Sequence, residues 1–502
     1  MKLNYTSTEE VPQIVEDLRR SFFSNLTKPL SYRKNQLEQL YKLLDENDQE
    51  LCDALQKDLR KPRTETMLGE IAMIKQEIYD SINNLDTWAK PEFVKVGIAH
   101  KLNKCQIRKE PVGSVLIIGA WNFPILLLLL PFVGAIAAGC TVILKPSEIA
   151  ENCATVITDL FPKYLDQNSY RIVNGGVKVA TVLLENRFDH IFYTGNGTVG
   201  KIVMGAAAKH LTPVTLELGG KSPAIVANDA DIPITAKRIL WSKIYNSGQT
   251  CIAPDYVICE KSVQEAFVKE VPRIVEELYG LDPQNSPDSS RVISQKHFDR
   301  LTDLLNKTEG KVVYEGNKDK NDLFFPATVV SDVPKNDSLM QEELFGPILP
   351  IVVVENLDEA LEFIRSKDIP LAMYPFSNDE KTIQNILDNT RSGGVLINDC
   401  FMQFSVSTLP FGGQGHSGIG NYRGKRTFDT FSHERSVMTS PLILERLVEV
   451  RYPPYTEKKL NFMSWLLFSH KRRNETGFFK ATIGAIFVLF ISYVFYSPFP
   501  FI

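Results

Sequence analysis

From Pro111 to Leu144 the chain carries no charged residue, and this run limits the folds open to it. A stretch so apolar must leave water, either in a bilayer or inside a packed core. Its punctuation decides between the two. Pro111, Gly113, Gly119, Asn122, Pro124 and Pro131 divide it into strand, loop, helix and strand. Val115-Leu116-Ile117-Ile118 reads as a strand and Trp121-Asn122-Phe123-Pro124 as a loop. Ile125 to Cys140 reads as a buried helix and Thr141-Val142-Ile143-Leu144 as the next strand. Pro131 either bends that helix or falls in its first turns. Strands without polar alternation belong in parallel sheets covered on both faces, so the run is read as a βαβ unit of a soluble domain rather than a membrane span.

The rest of the chain continues the alternation. Leu37, Leu40, Leu43 and Leu44, then Leu51, Leu55 and Leu59, recur at helical spacing, and Lys61-Pro62 ends the second of two helices. Asp189 to Thr194 is a strand, followed by Gly195-Asn196-Gly197-Thr198-Val199-Gly200 and a helix from Lys201 to Lys209. That fits G-x-G-x-x-G between strand and helix, a dinucleotide signature that is weak on its own. The usual pattern then places an acid about 20 residues on, against a ribose hydroxyl, and Glu217 lies near that distance. After Glu217 a second alternation begins, with strands at Ala224-Ile225-Val226, Tyr256-Val257-Ile258, 349–353 and Gly394-Val395-Leu396-Ile397 and helices at 231–244, 262–279, 295–308 and 357–366. At 502 residues, two or three domains are expected.

Three residues suggest chemistry. Cys251, in Asn246-Ser247-Gly248-Gln249-Thr250-Cys251-Ile252-Ala253-Pro254, is a thiol among small residues that a carbonyl could approach. Alone it reads more readily as a buried, inert Cys, and only its companions overturn that. Glu217, in Leu216-Glu217-Leu218-Gly219-Gly220-Lys221, and Asn122 supply a carboxylate base and an amide donor. Nucleophile, base and donor are the parts needed to make and hydrolyse a thioester. The 7 Cys are odd in number and irregularly spaced, without Cys-x-x-Cys, which argues against disulfides or a zinc site and for a reducing compartment. The 7 His show no ligand spacing, so no metal is expected. A net charge of −4 gives no reason to expect a nucleic-acid partner. Glu9 and Glu10 interrupt the start, so no signal peptide is expected.

Taken together, these segments resemble the aldehyde dehydrogenase superfamily. The likeness extends to Lys145-Pro146-Ser147-Glu148, Glu343-Leu344-Phe345-Gly346-Pro347 and Pro410-Phe411-Gly412-Gly413, collinear from about Ser31 to Arg435. Phe192 to Asn196, Cys251 to Tyr256 and Thr430-Phe431-Ser432-His433 resemble its class 3 branch, and Arg451-Tyr452-Pro453-Pro454 with an apolar C-terminus resembles the membrane-anchored fatty aldehyde dehydrogenases. The resemblance implies two doubly wound α/β domains, Rossmann-like NAD-binding (1–85 and 111–216) and catalytic (217–420). It also implies a small β bridging arm (86–110 and 421–440) that pairs protomers into a homodimer. It implies oxidation of long-chain aldehydes with NAD, NADP being the alternative dinucleotide. Cys251 would be the nucleophile, Asn122 the oxyanion donor and Glu217 the base, so that Lys145 and Glu148 take the ribose. Glu343 would hold the nicotinamide ribose, Phe345 would pack on the ring, and Gly195 to Gly200 would face the pyrophosphate. The family loop usually carries Thr or Ser where Gly197 stands.

Two other readings use the same residues: a thiol acyl-transfer enzyme or esterase without hydride transfer, and an inactive membrane scaffold. The second gives no use for Cys251, Glu217 and Asn122 together. Beyond residues 441–475, read as an interfacial helical region, Ala481 to Ile502 carries no charge, and 477–497 is expected to anchor the chain in a lipid membrane. Lys471, Arg472 and Arg473 before it keep the enzyme domains cytosolic. The resemblance points to the endoplasmic reticulum.

Overall fold

The computed structural model describes residues 3–468. The expected anchor, 477–497, and the charge-free end lie outside them. Among the described residues no helix is long and apolar enough to cross a membrane. These residues fall into two compact units. One holds Met1–Trp88 and Glu110–His433, the other Ala89–Lys109 and the chain from Glu434.

The first unit is built on two sheets. The six-stranded sheet runs Gly418–Ile419, Val214–Glu217, His190–Thr194, Ser114–Ile118, Thr141–Lys145 and Tyr170–Ile172. Only its first strand is antiparallel. The strand order reverses beside Ser114–Ile118: the chain steps outward to Tyr170–Ile172, then returns to the other side at His190–Thr194. Ligands of open α/β sheets bind beyond the carboxyl ends at such a reversal. The seven-stranded sheet runs Lys311–Tyr314, Thr328–Ser331, Ile348–Val353, Tyr256–Cys259, Pro223–Val226, Ala372–Phe376 and Gly394–Val395, with only Lys311–Tyr314 antiparallel.

The charge-free run folds as read. Ser114–Ile118 and Thr141–Lys145 are buried parallel neighbours, and the helix Leu126–Ala138 between them is buried at every residue. A helix apolar on all sides has no face to give to water. It ends on Gly139 at φ +93°, the left-handed cap that glycine adopts without a Cβ penalty. Pro131 lies inside it. The helix after the glycine-rich loop starts earlier than expected, at Gly197, because the Asn196 side chain accepts from Val199 N and caps it.

The segment read from 421 as part of an arm lies in the first unit as far as His433. Arg423 pairs with Glu77 at 2.9 Å, each side chain 1% exposed, and Glu77 also accepts from Gly424 N and Thr427 Oγ1. Thr427 closes over the apolar helix so tightly that a Cβ on Gly134 would lie 2.2 Å from its Cγ2. Short-range apolar patterning carries no trace of such a charge pair. The second unit has a three-stranded sheet of Glu92–Phe93, Lys104–Pro111 and Ser432–Thr439, with a helix at Glu457–Phe468 that leaves Leu460 and Trp465 exposed.

Arg423→Met should destabilise the protein by about 3–5 kcal/mol, because it leaves the Glu77 carboxylate buried without its cation. Urea unfolding measures this, and a loss near zero would show that the pair is solvated.

Candidate active site

Four strand ends of the six-stranded sheet open on one cleft of about 700 Å³. After Ile118 the chain turns through Gly119 to Asn122; after Lys145 come Ser147 and Glu148; after Thr194 come Gly195 and Asn196; and Glu217 ends its own strand. The cleft also takes in Cys251, Glu343 and Phe345 from the seven-stranded half. Of the residues singled out from sequence, Asn122, Lys145, Glu148, Gly195, Asn196, Gly197, Val199, Glu217, Cys251, Glu343 and Phe345 line it. Thr198 and Gly200 do not. Thr198 is exposed, and Gly200 is buried against the sheet, where a Cβ would stand 3.0 Å from Leu218.

Cys251 sits on a constrained turn. Asn246 and Ser247 adopt φ of +51° and +54°, and Gly248 adopts +72°. A Cβ at Gly248 would lie 2.3 Å from the Gly346 backbone, so the loops carrying Cys251 and Phe345 touch there. Gln249 pins the turn. Its amide donates to Asn246 O and Arg291 O, and its Oε1 accepts from Ile293 N. Asn122 Nδ2 donates to Gln249 O at 3.1 Å, and Asn246 Nδ2 donates to Asn122 O at 2.9 Å. One N–H of the Asn122 amide is thereby used, and a primary amide has a second.

Burial neutralises the site. It pushes the Cys251 thiol upward, with the Glu343 and Glu217 carboxyls adding to the shift and the backbone N–H groups of Cys251 and Ile252 opposing it. Glu217 is 2% exposed, and both carboxyl oxygens lack a hydrogen-bond partner. Burial alone raises it well above the usual carboxylate range. Glu343 is pushed up to about 8, first by burial and then by Asp255, while Gly220 N–H and the Lys221 and Lys243 cations pull it down. It packs where a Cβ on Gly219 would be 2.3 Å from its Oε2. Its loop is tied through Asp255, which pairs with Lys221 and Lys243 and accepts from Leu344 N.

The remaining features suit a dinucleotide. The helix Gly197–Ala208 presents its positive end to the cleft, and Gly197 has no atom within 4 Å of a would-be Cβ, so a phosphate can approach its backbone. Lys145 pairs with Glu148 at 3.0 Å, a cation and an acceptor at a strand's carboxyl end. Val177, Leu184 and Val199 give the cleft an apolar wall. Among the described residues no group of three or more His, Cys, Asp or Glu could hold a metal ion.

Sequence reading missed several residues here. Trp121 packs between His297, tilted at 51°, and Phe345, edge-on at 82°, with ring centroids 5.0 and 5.3 Å away. His297 and Arg300 reach the cleft one turn apart on the helix Gln295–Asn306. That spacing was visible in the sequence, but nothing in it gave the direction of the face.

This fold and cleft are those of an NAD(P)-dependent aldehyde dehydrogenase: the aldehyde dehydrogenase family matches residues 1–437, and the chain belongs to it. Its relatives include aldehyde dehydrogenase family 3 member A2 of Mus musculus, 46% identical over 92% of this chain and 95% of that protein. Aldehyde dehydrogenase family 3 member B1 of Bos taurus is 47% identical over 89% and 96%. Among solved structures, the substrate-bound state of Staphylococcus aureus AldH is similar, with a TM-score of 0.88 and 39% identity over 91% of this chain and 99% of that one. Glyceraldehyde-3-phosphate dehydrogenase GapN of Methanocaldococcus jannaschii, complexed with NADP, has a TM-score of 0.79 and 25% identity over 88% and 96%.

The buried Glu217 gives a pH test. Its folded value is raised above the ordinary 4.5, so the folded chain holds a proton that the unfolded chain releases. That stabilisation is complete below pH 4.5 and is lost as pH rises through the folded value. Glu217→Gln cannot ionise. It should melt with the parent near about pH 4 and increasingly above it as pH rises past 4.5. A constant difference in Tm across that range would show a freely ionising carboxyl.

Proposed function

We propose that the chain oxidises long-chain aldehydes to carboxylic acids at a membrane surface, with Cys251 as nucleophile. The observation that carries the chemistry is the convergence of Cys251, Asn122 and Glu217 on one cleft. The Cys251 thiol passes its proton to a water molecule in the open cleft as the aldehyde enters, and the thiolate attacks the carbonyl carbon. The carbonyl π pair moves onto oxygen. The free N–H of the Asn122 amide and the Cys251 backbone N–H donate to that oxyanion. A bound dinucleotide would supply the acceptor for the hydride lost between this adduct and the thioester. Lys145 and Glu148 would hold the adenine-side ribose, the N-terminus of the helix Gly197–Ala208 would take the pyrophosphate, Glu343 would hold the second ribose and Phe345 would back the ring. Glu217 then takes a proton from the water that attacks the thioester, and the acid leaves as the Cys251 sulfur is regenerated. A base that rests neutral must first lose its proton, so hydrolysis should quicken with alkaline pH. The cofactor reading favours NAD, because Glu148 repels a 2′-phosphate, though Lys145 beside it attracts one.

The domain reading accompanies this mechanism. A dinucleotide lobe (1–85 and 111–216) and a catalytic lobe (217–420) share the cleft, and of the arm read as 86–110 and 421–440 the stretches outside the first unit, 89–109 and from 434, pair two copies of the chain. The proposed location rests on the composition of residues 471–496. Gly477 to Tyr496 has the length of a helix spanning about 30 Å of hydrocarbon, behind Lys471, Arg472 and Arg473. Leu460 and Trp465, exposed on Glu457–Phe468, suit the interface just before it. An enzyme held there meets aldehydes where lipid chains partition, and the endoplasmic reticulum is the membrane that this reading names.

Cys251→Ala should lower NADH formation by about 10⁴-fold or more while leaving dinucleotide affinity unchanged. Absorbance at 340 nm and fluorescence titration report the two, and substantial turnover by the variant would remove Cys251 from its role. Truncation after Arg451 should convert a chain that stays in the pellet under alkaline carbonate into a soluble one. The truncated enzyme should keep its activity on short aldehydes. Release of the full chain by carbonate would remove the anchor.

A further inference from the structure

The apolar helix Leu126–Ala138 starts without a cap of its own. No side chain at its N-terminus accepts from its first N–H groups, and its first turn contains no acid. An uncapped end buried from water is costly. The missing acceptor comes from elsewhere in the chain. Glu70 Oε2 accepts from Ile125 N and Leu126 N, both at 3.0 Å. Its other oxygen pairs with Lys61 Nζ at 2.7 Å, and both side chains are 0% exposed. Lys61 Nζ also donates to Asn122 O at 3.4 Å and stands 3.8 Å from the centre of the Phe123 ring. One ion pair thus grips both ends of the segment 122–126.

Replacing a buried ion pair by apolar residues of similar volume is often neutral for stability, so space filling does not explain this one. Local backbone geometry aims it. Glu70 lies in the π-helical turn Met67–Ile71, whose extra residue rotates side chains off the α-helical pattern. Gly69 in that turn lets Tyr245 in, since a Cβ there would stand 2.3 Å from Tyr245 Oη. Tyr245 stacks with Phe123 and leads into Asn246, whose amide is the second donor to Asn122 O. The Asn122 carbonyl is therefore held by a cation on one side and by the Cys251 loop on the other.

We propose that the Lys61–Glu70 pair is a positioning device that fixes the Asn122 backbone so that its side-chain amide faces the reacting oxygen. This rests on the reading of Asn122 as an oxyanion donor. Neither Lys61 nor Glu70 touches substrate; both act through Asn122.

The test is a cycle on the full-length enzyme. Lys61→Met/Glu70→Gln removes both charges and keeps an acceptor for the two N–H groups. Its kcat/KM for a short aldehyde should fall about 10- to 100-fold. Dinucleotide affinity and Tm should stay near the parent. Asn122→Ala alone should lose about 10²–10³-fold. In the Asn122→Ala background the double change should cost less than about 2-fold, since nothing remains to be aimed. Equal factors in both backgrounds, or no loss in the parent background, would overturn the proposal. An Asn122→Ala enzyme with full kcat/KM would overturn the donor reading and the proposal with it. If Lys61→Met/Glu70→Gln does not fold, Lys61→Gln/Glu70→Gln enters the same cycle with polar atoms kept at both positions.

Discussion

The cleft exists because two mainly parallel sheets are covered on both faces by helices that turn their apolar sides to them. Within such a sheet every backbone group is paired and every side chain is packed. Polar chemistry can then be presented only where strands end. Ile118, Lys145, Thr194 and Glu217 are the ends of four strands, and each is followed by residues that face one space. The helix Leu126–Ala138 makes this possible by filling the sheet face with side chains that need no water.

The electrostatics follow from that dryness. Burial pushes Glu217, Glu343 and Cys251 toward their neutral forms. Charge is kept instead in the supports. Asp255 with Lys221 and Lys243 ties the loop of Glu343, and Lys61 with Glu70 ties the loop of Asn122. Left-handed Asn246 and Ser247 turn the chain into Cys251 between them. The reactive groups are polar but quiet, and the fixed dipoles and ion pairs around them set direction.

How much of this was legible depends on the range of the interaction. The strand, loop, helix and strand of Pro111 to Leu144 could be read because hydropathy and proline act within a few residues. Asn122, Glu217 and Cys251 could be singled out because each lies in a run of distinctive neighbours. The glycine-rich loop was legible only in part: Gly195 and Gly197 face the cleft, but Gly200 serves packing on Leu218. Glu70 is 55 and 56 residues from the two N–H groups it caps, and Glu77 is 346 from Arg423. No periodicity marks such pairs. The segment after Tyr422 lay on the expected arm in sequence, but its buried guanidinium draws it into the first unit.

The closing of Thr427 over Gly134 has a consequence in time rather than in space. The two residues are 293 positions apart, from 427 − 134. A ribosome adding about 5–20 residues per second needs roughly 15–60 s to make the second after the first. Through that interval the most apolar helix among the described residues has left the ribosome without the segment that covers it. Newly made chains of this protein therefore pass through a stage in which a chaperone, or the membrane-insertion machinery, can bind Leu126–Ala138 before its own C-terminal part arrives.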